Sequence, residues 1–162
     1  MPDGALDLTE PAHLLAKLEY ESGILAADHG NSYAAINALR DAHHLREWIW
    51  HDRLEHDPAL QYAIMTQAGQ EGNWNRHINT SFPDFPTIRE LCNGSKHFER
   101  ATSPTIQNSY KAGWNASVWD NGEWDDKGFY VVVNGQVISI TNLAARVCQF
   151  WRSLFNQFPQ LG

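Results

Sequence analysis

The sequence is short of cysteine, of positive charge and of long apolar runs, and each shortage removes a class of protein. Two cysteines occur, Cys92 and Cys148, without CxxC spacing and in segments of helical periodicity, so a disulfide framework and a four-ligand zinc site are excluded. Both sit among apolar neighbours and read as core fillers in a reducing compartment. Lys plus Arg number 12 against 19 Asp plus Glu, a net charge of −7. The molecule as a whole therefore repels a phosphate backbone, and any contact with nucleic acid needs a local basic patch. The longest aromatic-aliphatic run, Phe129 to Val133, is far too short for a membrane span, and Met1-Pro2-Asp3-Gly4 has neither the basic nor the apolar region of a signal peptide. The expectation is a cytoplasmic protein without membrane association. What is present is 43% hydrophobic and 12% aromatic content in a chain of 162 residues, enough for one core in one domain.

Helical signals dominate the first hundred residues. Thr9 is a candidate N-cap, followed by Glu10, Pro11 and an apolar series from Leu14 to Leu25, which predicts a helix to about Asp28 with Gly30 as its stop. Asn31 or Ser32 then caps a long second helix ending near His56, before Asp57-Pro58. A short helix follows Pro58, and Trp74, Ile78 and Phe82 at spacing four predict another. Thr87 and Glu90 read as a capping box opening a helix through Leu91 and Cys92, with a pause at Asn93-Gly94. From Ala101 the texture changes. Residues Pro104 to Tyr110 read as extended, and Gly113 to Gly128 form a loop rich in Trp, Asn, Asp and Gly. The runs Phe129 to Val133 and Gln136 to Ile140, joined by Asn134-Gly135, predict a hairpin. Thr141 or Asn142 caps a last helix with an apolar stripe of Ala144, Val147, Cys148, Trp151, Leu154 and Phe155. The fold expected is mainly α, a bundle of about five helices with a small antiparallel β-hairpin or meander inserted before the C-terminal helix. It comprises a single domain: bundle 9–100, β insert with Trp-rich loop 104–140, and C-terminal helix 142–157.

On the long helix, Asn37, Arg40, His44, Glu47, His51 and Glu55 fall within about 80° of one another. Ile36, Leu39, Trp50 and Leu54 lie on one flank, and Ala34, Ala38, Leu45 and Ile49 on the other. One reading is a solvated face laced by ion pairs; another is the lining of a groove. A third is a metal site from His44, Glu47 and His51, two imidazoles and a carboxylate on one side of a helix. The chain has neither HExxH nor paired ExxH motifs, and no cofactor or metal is expected.

Asn93 and His97 are one helical turn apart, about 40° around the axis, with Arg89, Glu90 and Arg100 near the same line. A hydrogen bond from Asn93 would fix the His97 tautomer and leave one nitrogen for proton transfer, with Lys96, Arg89 or Arg100 supplying positive charge. RNA cleavage needs this set: a base for the 2′-hydroxyl, an acid for the leaving oxygen and a cation for the phosphorane. The plain alternative is that Asn93-Gly94 stops the helix and His97 only bonds a carbonyl beside Phe98.

At Leu91-Cys92-Asn93-Gly94-Ser95-Lys96-His97 the chain resembles the HEPN superfamily of compact helical bundles, many of them metal-independent ribonucleases of toxin, abortive-infection and CRISPR systems. Their motif is an Arg, often followed by Asn, with a His four to six residues after the Arg. The Asn and His positions match, and Cys92 stands where the Arg belongs. Arg46 to His51 also has the bare spacing, yet in a continuous helix these two point about 140° apart. The resemblance spans residues 9–100 and 142–157. It implies a bacterial or phage protein of a defence or toxin type, a homodimer, and an endoribonuclease in which His97 is the acid/base group, Asn93 orients it, and Lys96 with Arg89 or Arg100 contacts phosphate. The competing expectation is a non-catalytic accessory module. There Trp119 and Trp124 of the loop recognise a protein, because Asp120, Glu123, Asp125 and Asp126 make that loop hostile to RNA.

Overall fold

The computed structural model describes residues 7–96, 106–111 and 128–162. Six α-helices and three strands occur among them: α1 (Pro11–Ala27), α2 (Ser32–Ile49), α3 (Pro58–Met65), α4 (Glu71–Ser81), α5 (Phe85–Lys96), β1 (Ile106–Lys111), β2 (Phe129–Val133), β3 (Gln136–Ser139) and α6 (Ile140–Gln157). The mainly helical bundle with an antiparallel β element ahead of the last helix is the architecture the sequence predicts.

Helix starts depart from expectation by one to three residues, α1 later and α5 and α6 earlier, each for a local reason. Pro11 occupies the first turn of α1, where its missing N–H costs nothing, so Glu10 is the capping residue and Thr9 turns its hydroxyl to His13 Nδ1 at 3.2 Å. Asn31 caps α2 by accepting from Ala34 N at 3.0 Å. Thr87 is not a cap. Residue Phe85 already begins α5, the Ile88 N–H bonds the Asp84 carbonyl at 3.2 Å, and Thr87 is buried inside the first turn. Similarly Ser139, not Thr141 or Asn142, caps α6 by accepting from Asn142 N at 3.3 Å. The predicted pause at Asn93-Gly94 does not occur; α5 runs through to Lys96.

The long second helix changes pitch at its end. After Ile49 the chain winds one π-helical turn, Trp50–Leu54, closed by Glu55 N to Trp50 O at 2.8 Å, before Asp57 caps α3 through its carboxylate to Leu60 N at 2.9 Å. The wider turn lets Trp50 and Leu54 both stay in the core while His51 faces solvent.

Helix α2 is central and packs on α1, α5 and α6. Two indoles fasten it: Trp151 of α6 donates Nε1–H to the Ala42 carbonyl at 3.1 Å, and Trp74 of α4 donates to the Arg46 carbonyl, one turn on, at 2.9 Å. Phe85 stands edge-on to Trp151, centroids 5.9 Å apart, so α4, α5 and α6 meet at one aromatic cluster on α2. The sheet order is β1-β2-β3, antiparallel throughout, with Val131 opposite Ile138 and Val132 opposite Val137. Its tight turn has positive φ at Asn134 (51°) and Gly135 (75°), the conformation that matches the strand twist. Val131 and Val133 of β2, two residues apart and so on one face of the strand, are buried in the core, and the sheet contacts α6. No helix among the described residues is long and apolar enough to cross a membrane.

Candidate functional site

The polar residues of α2 fall into two groups set by its neighbours. Against α1, Lys17 Nζ reaches buried Asp41 at 2.6 Å and Glu21 at 3.5 Å, and Asn37 Nδ2 donates to Glu21 at 3.2 Å. Burial pushes the Asp41 carboxyl up, opposed by the Lys17 hydrogen bond and charge. This group joins two helices and is structural.

The second group is centred on Glu47. His44 Nδ1 lies 3.1 Å from Glu47 Oε2, Arg46 Nη2 3.6 Å from Oε1, and His43 Nε2 3.9 Å from Oε1. An ionised carboxylate only accepts, so its bond to His44 places the proton on Nδ1 and leaves Nε2 for proton exchange. Burial pushes the Glu47 carboxyl up, but the His44 hydrogen bond and the positive field of His43, His44 and Arg46 outweigh it and hold the group below the ordinary carboxylate range. The buried guanidinium of Arg46 lies over the Phe85 ring, 5.6 Å from its centroid. His43 is also buried and packs against the same ring at 6.2 Å. Phe85 opens α5, so this charged part of α2 is where α5 docks.

Of the residues singled out in the sequence, His44 and Glu47 are brought together, while Arg40 is half-buried one turn earlier. His51 is exposed and pairs with Glu55 at 3.1 Å, away from Glu47. Accordingly His44, Glu47 and His51 do not converge, and no three His, Cys, Asp or Glu side chains among the described residues are grouped as metal ligands. Arg46 and His51 likewise diverge, one buried and one exposed. Arg89 and Asn93 are exposed on α5, one turn apart, and Lys96 is its last residue. His97, Arg100, Trp119 and Trp124 lie outside the described residues. Cys92 is buried at 3% exposure. Ile36, assigned to an apolar flank, is instead exposed, although Ala34 and Ala35 of the same turn are buried.

Among the described residues, the buried polar side chains whose burial sequence reasoning missed are Asp41, His43 and Arg46 on α2 and Gln61 on α3, the last donating to the Leu54 carbonyl at 2.7 Å. A signal exists for Arg46: residues four before, three after and four after it are Ala42, Ile49 and Trp50, which places its stem in an apolar stripe.

A further titratable group flanks the cluster. His77 of α4 stacks on Trp74, centroids 5.9 Å apart and planes 16° apart, and burial pushes its pKa down. The unfolded state therefore binds a proton at higher pH than the folded state does, and folding stability falls as pH drops through about 6.5. His77→Phe keeps the stack and removes the proton. Denaturant titrations from pH 7.5 to 5 are expected to show this variant gaining stability relative to the native chain as pH falls; a constant difference would refute the linkage.

No family model, no curated protein and no solved structure matches this chain.

Proposed function

We propose that the chain is a HEPN-like helical protein of bacterial or phage defence, acting in the cytoplasm as a homodimeric, metal-independent endoribonuclease. In this reading His97 transfers the proton, Asn93 orients it, and Lys96, Arg89 and Arg100 contact phosphate. The observation that carries the proposal is the unbroken course of α5. Because the helix continues through Asn93-Gly94 to Lys96, Arg89 and Asn93 share one exposed line of α5, and the alternative in which Asn93-Gly94 is a helix stop loses its basis. The His44–Glu47 pair on α2, the helix against which α5 packs, adds a carboxylate-held imidazole to the same pair of helices. The test is cleavage of single-stranded RNA by the purified chain in excess chelator, with His97→Ala as the control.

One observation favours a second reading, a non-catalytic accessory module that binds a protein. Cys92, in the place of the motif's Arg, is committed to the core and offers no cation. For that module, Trp119→Ala or Trp124→Ala should abolish the partner complex in a pull-down with the melting temperature unchanged, and RNA should stay intact.

A further inference from the structure

Two carboxylates and one ammonium meet in the seam between α1 and α2. Lys17 Nζ of α1 lies 2.6 Å from Asp41 Oδ2 of α2 and 3.5 Å from Glu21 Oε1 of its own helix. The Asp41 and Glu21 side chains are only 9% and 12% exposed, and Asn37 Nδ2 donates to the same Glu21 oxygen at 3.2 Å. Because both oxygens lie against one nitrogen, they are at most about 6 Å apart, the range in which like charges disfavour each other's ionised form. Among the described residues no second cation is within ion-pair reach of either carboxylate. By formal charge the seam holds one negative charge more than its ammonium balances, in a place that water screens poorly. An asparagine at position 41 would keep an acceptor for Lys17 and leave Lys17 and Glu21 balanced, so helix packing alone gives no reason for the third charged group.

We infer that the α1–α2 seam is a proton-uptake switch: on acidification Asp41 accepts the one proton that balances the cluster, Lys17 then pairs with Glu21 alone, and the two helices are held more tightly. Burial pushes the Asp41 carboxyl up most strongly and Lys17 opposes it by hydrogen bond and charge; Glu21 adds to the rise, His44 of α2 subtracts from it, and the balance is upward. Helices α5 and α6 also pack on α2, yet among the described residues they supply no charge that acts on Asp41. The folded chain thus takes up a proton at a pH where the unfolded chain, with an ordinary aspartate value of about 3.9, does not yet hold it. The contribution of the seam to stability is complete below about 3.9 and is lost as pH rises through the folded value. That sign is the reverse of the one at His77, whose pKa burial pushes down. Acid therefore loosens the bundle at α4 while it tightens the α1–α2 hairpin, whatever the chain does to RNA.

The experiment is a pH titration of the full chain by carboxyl-carbon NMR, native and Glu21→Gln, beside denaturant titrations of native and Asp41→Asn from pH 7.5 to 4. In the native chain the Asp41 carboxyl carbon is expected to inflect above about 3.9. Glu21→Gln keeps an acceptor for Asn37 and removes the competing charge, and should move that inflection down. Asp41→Asn is neutral at every pH, so the native chain should gain stability relative to it as pH falls. An Asp41 inflection at or below about 3.9, an inflection that Glu21→Gln leaves in place, or a stability difference that does not change with pH would each overturn the switch. Should Asp41→Asn fail to fold, the two NMR titrations decide alone.

Discussion

Trp151→Ala should lower the unfolding free energy by about 3–5 kcal/mol. The indole is fully buried, its ring is edge-on to Phe85 at 5.9 Å and tilted to Trp74 at 6.4 Å, and its N–H closes the contact with the Ala42 carbonyl at 3.1 Å. Truncation therefore removes the largest side chain that α6 places on α2 and opens a void lined by two other aromatics, which cannot collapse without moving α4 and α5. In a chain of this length the loss corresponds to a fall in melting temperature of roughly 6–20 °C. Trp151→Phe separates the two contributions. It retains most of the buried ring and loses the N–H, and because the Ala42 carbonyl keeps its place within α2, the cost should be only about 1–2 kcal/mol. Chemical denaturation of both variants checks the ranking; equal losses would mean that the hydrogen bond, not the ring, holds α6 to α2.

The α6 stripe was legible because its residues obey one periodicity and face one neighbour. Five of the six stripe residues, from Ala144 to Leu154, are buried and Phe155 is partly buried. The hairpin was legible for a different reason, since Asn134-Gly135 is among the few dipeptides that adopt two consecutive positive φ values without strain. What failed was local punctuation. Thr87 has the chemistry of a cap, but the Asp84 carbonyl already accepts the first helical hydrogen bond from Ile88 N, so position along the chain overrode propensity. The candidate site was half legible. His44 and Glu47 meet because they are three residues apart on a helix, which spacing alone predicts. The burial of Arg46 and His43 depends on where Phe85 lands, and no pattern within α2 says that an aromatic from another helix will cover a guanidinium and an imidazole. His51 left the stripe because the π-helical turn alters the angular step after Ile49, a departure that a wheel drawn at constant pitch cannot contain.

His97→Ala should reduce RNA cleavage by about 10²- to 10⁴-fold, the contribution of one positioned acid/base group. In the proposed metal-independent reaction the ribose 2′-hydroxyl is the nucleophile: its oxygen attacks the adjacent phosphorus, its proton passes to a base, and the 5′-oxygen leaves with a proton from an acid, giving a 2′,3′-cyclic phosphate. The cyclic end group and insensitivity to chelator are thus part of the expected result, as is a bell-shaped dependence of rate on pH. Asn93→Ala should act more weakly than His97→Ala, because it removes the partner that orients the imidazole and not the proton carrier itself. Arg89→Gln, at an exposed position, should raise KM more than it lowers kcat if Arg89 binds phosphate equally in substrate and transition state. Far-UV circular dichroism of each variant must match the native chain for these losses to be read as chemistry. A native chain that leaves RNA intact at every concentration, or a His97→Ala variant that cleaves as fast as native, defeats the catalytic assignment, and the buried Cys92 then becomes the more informative residue: it marks an α5 helix that carries part of the motif without the cation the motif requires.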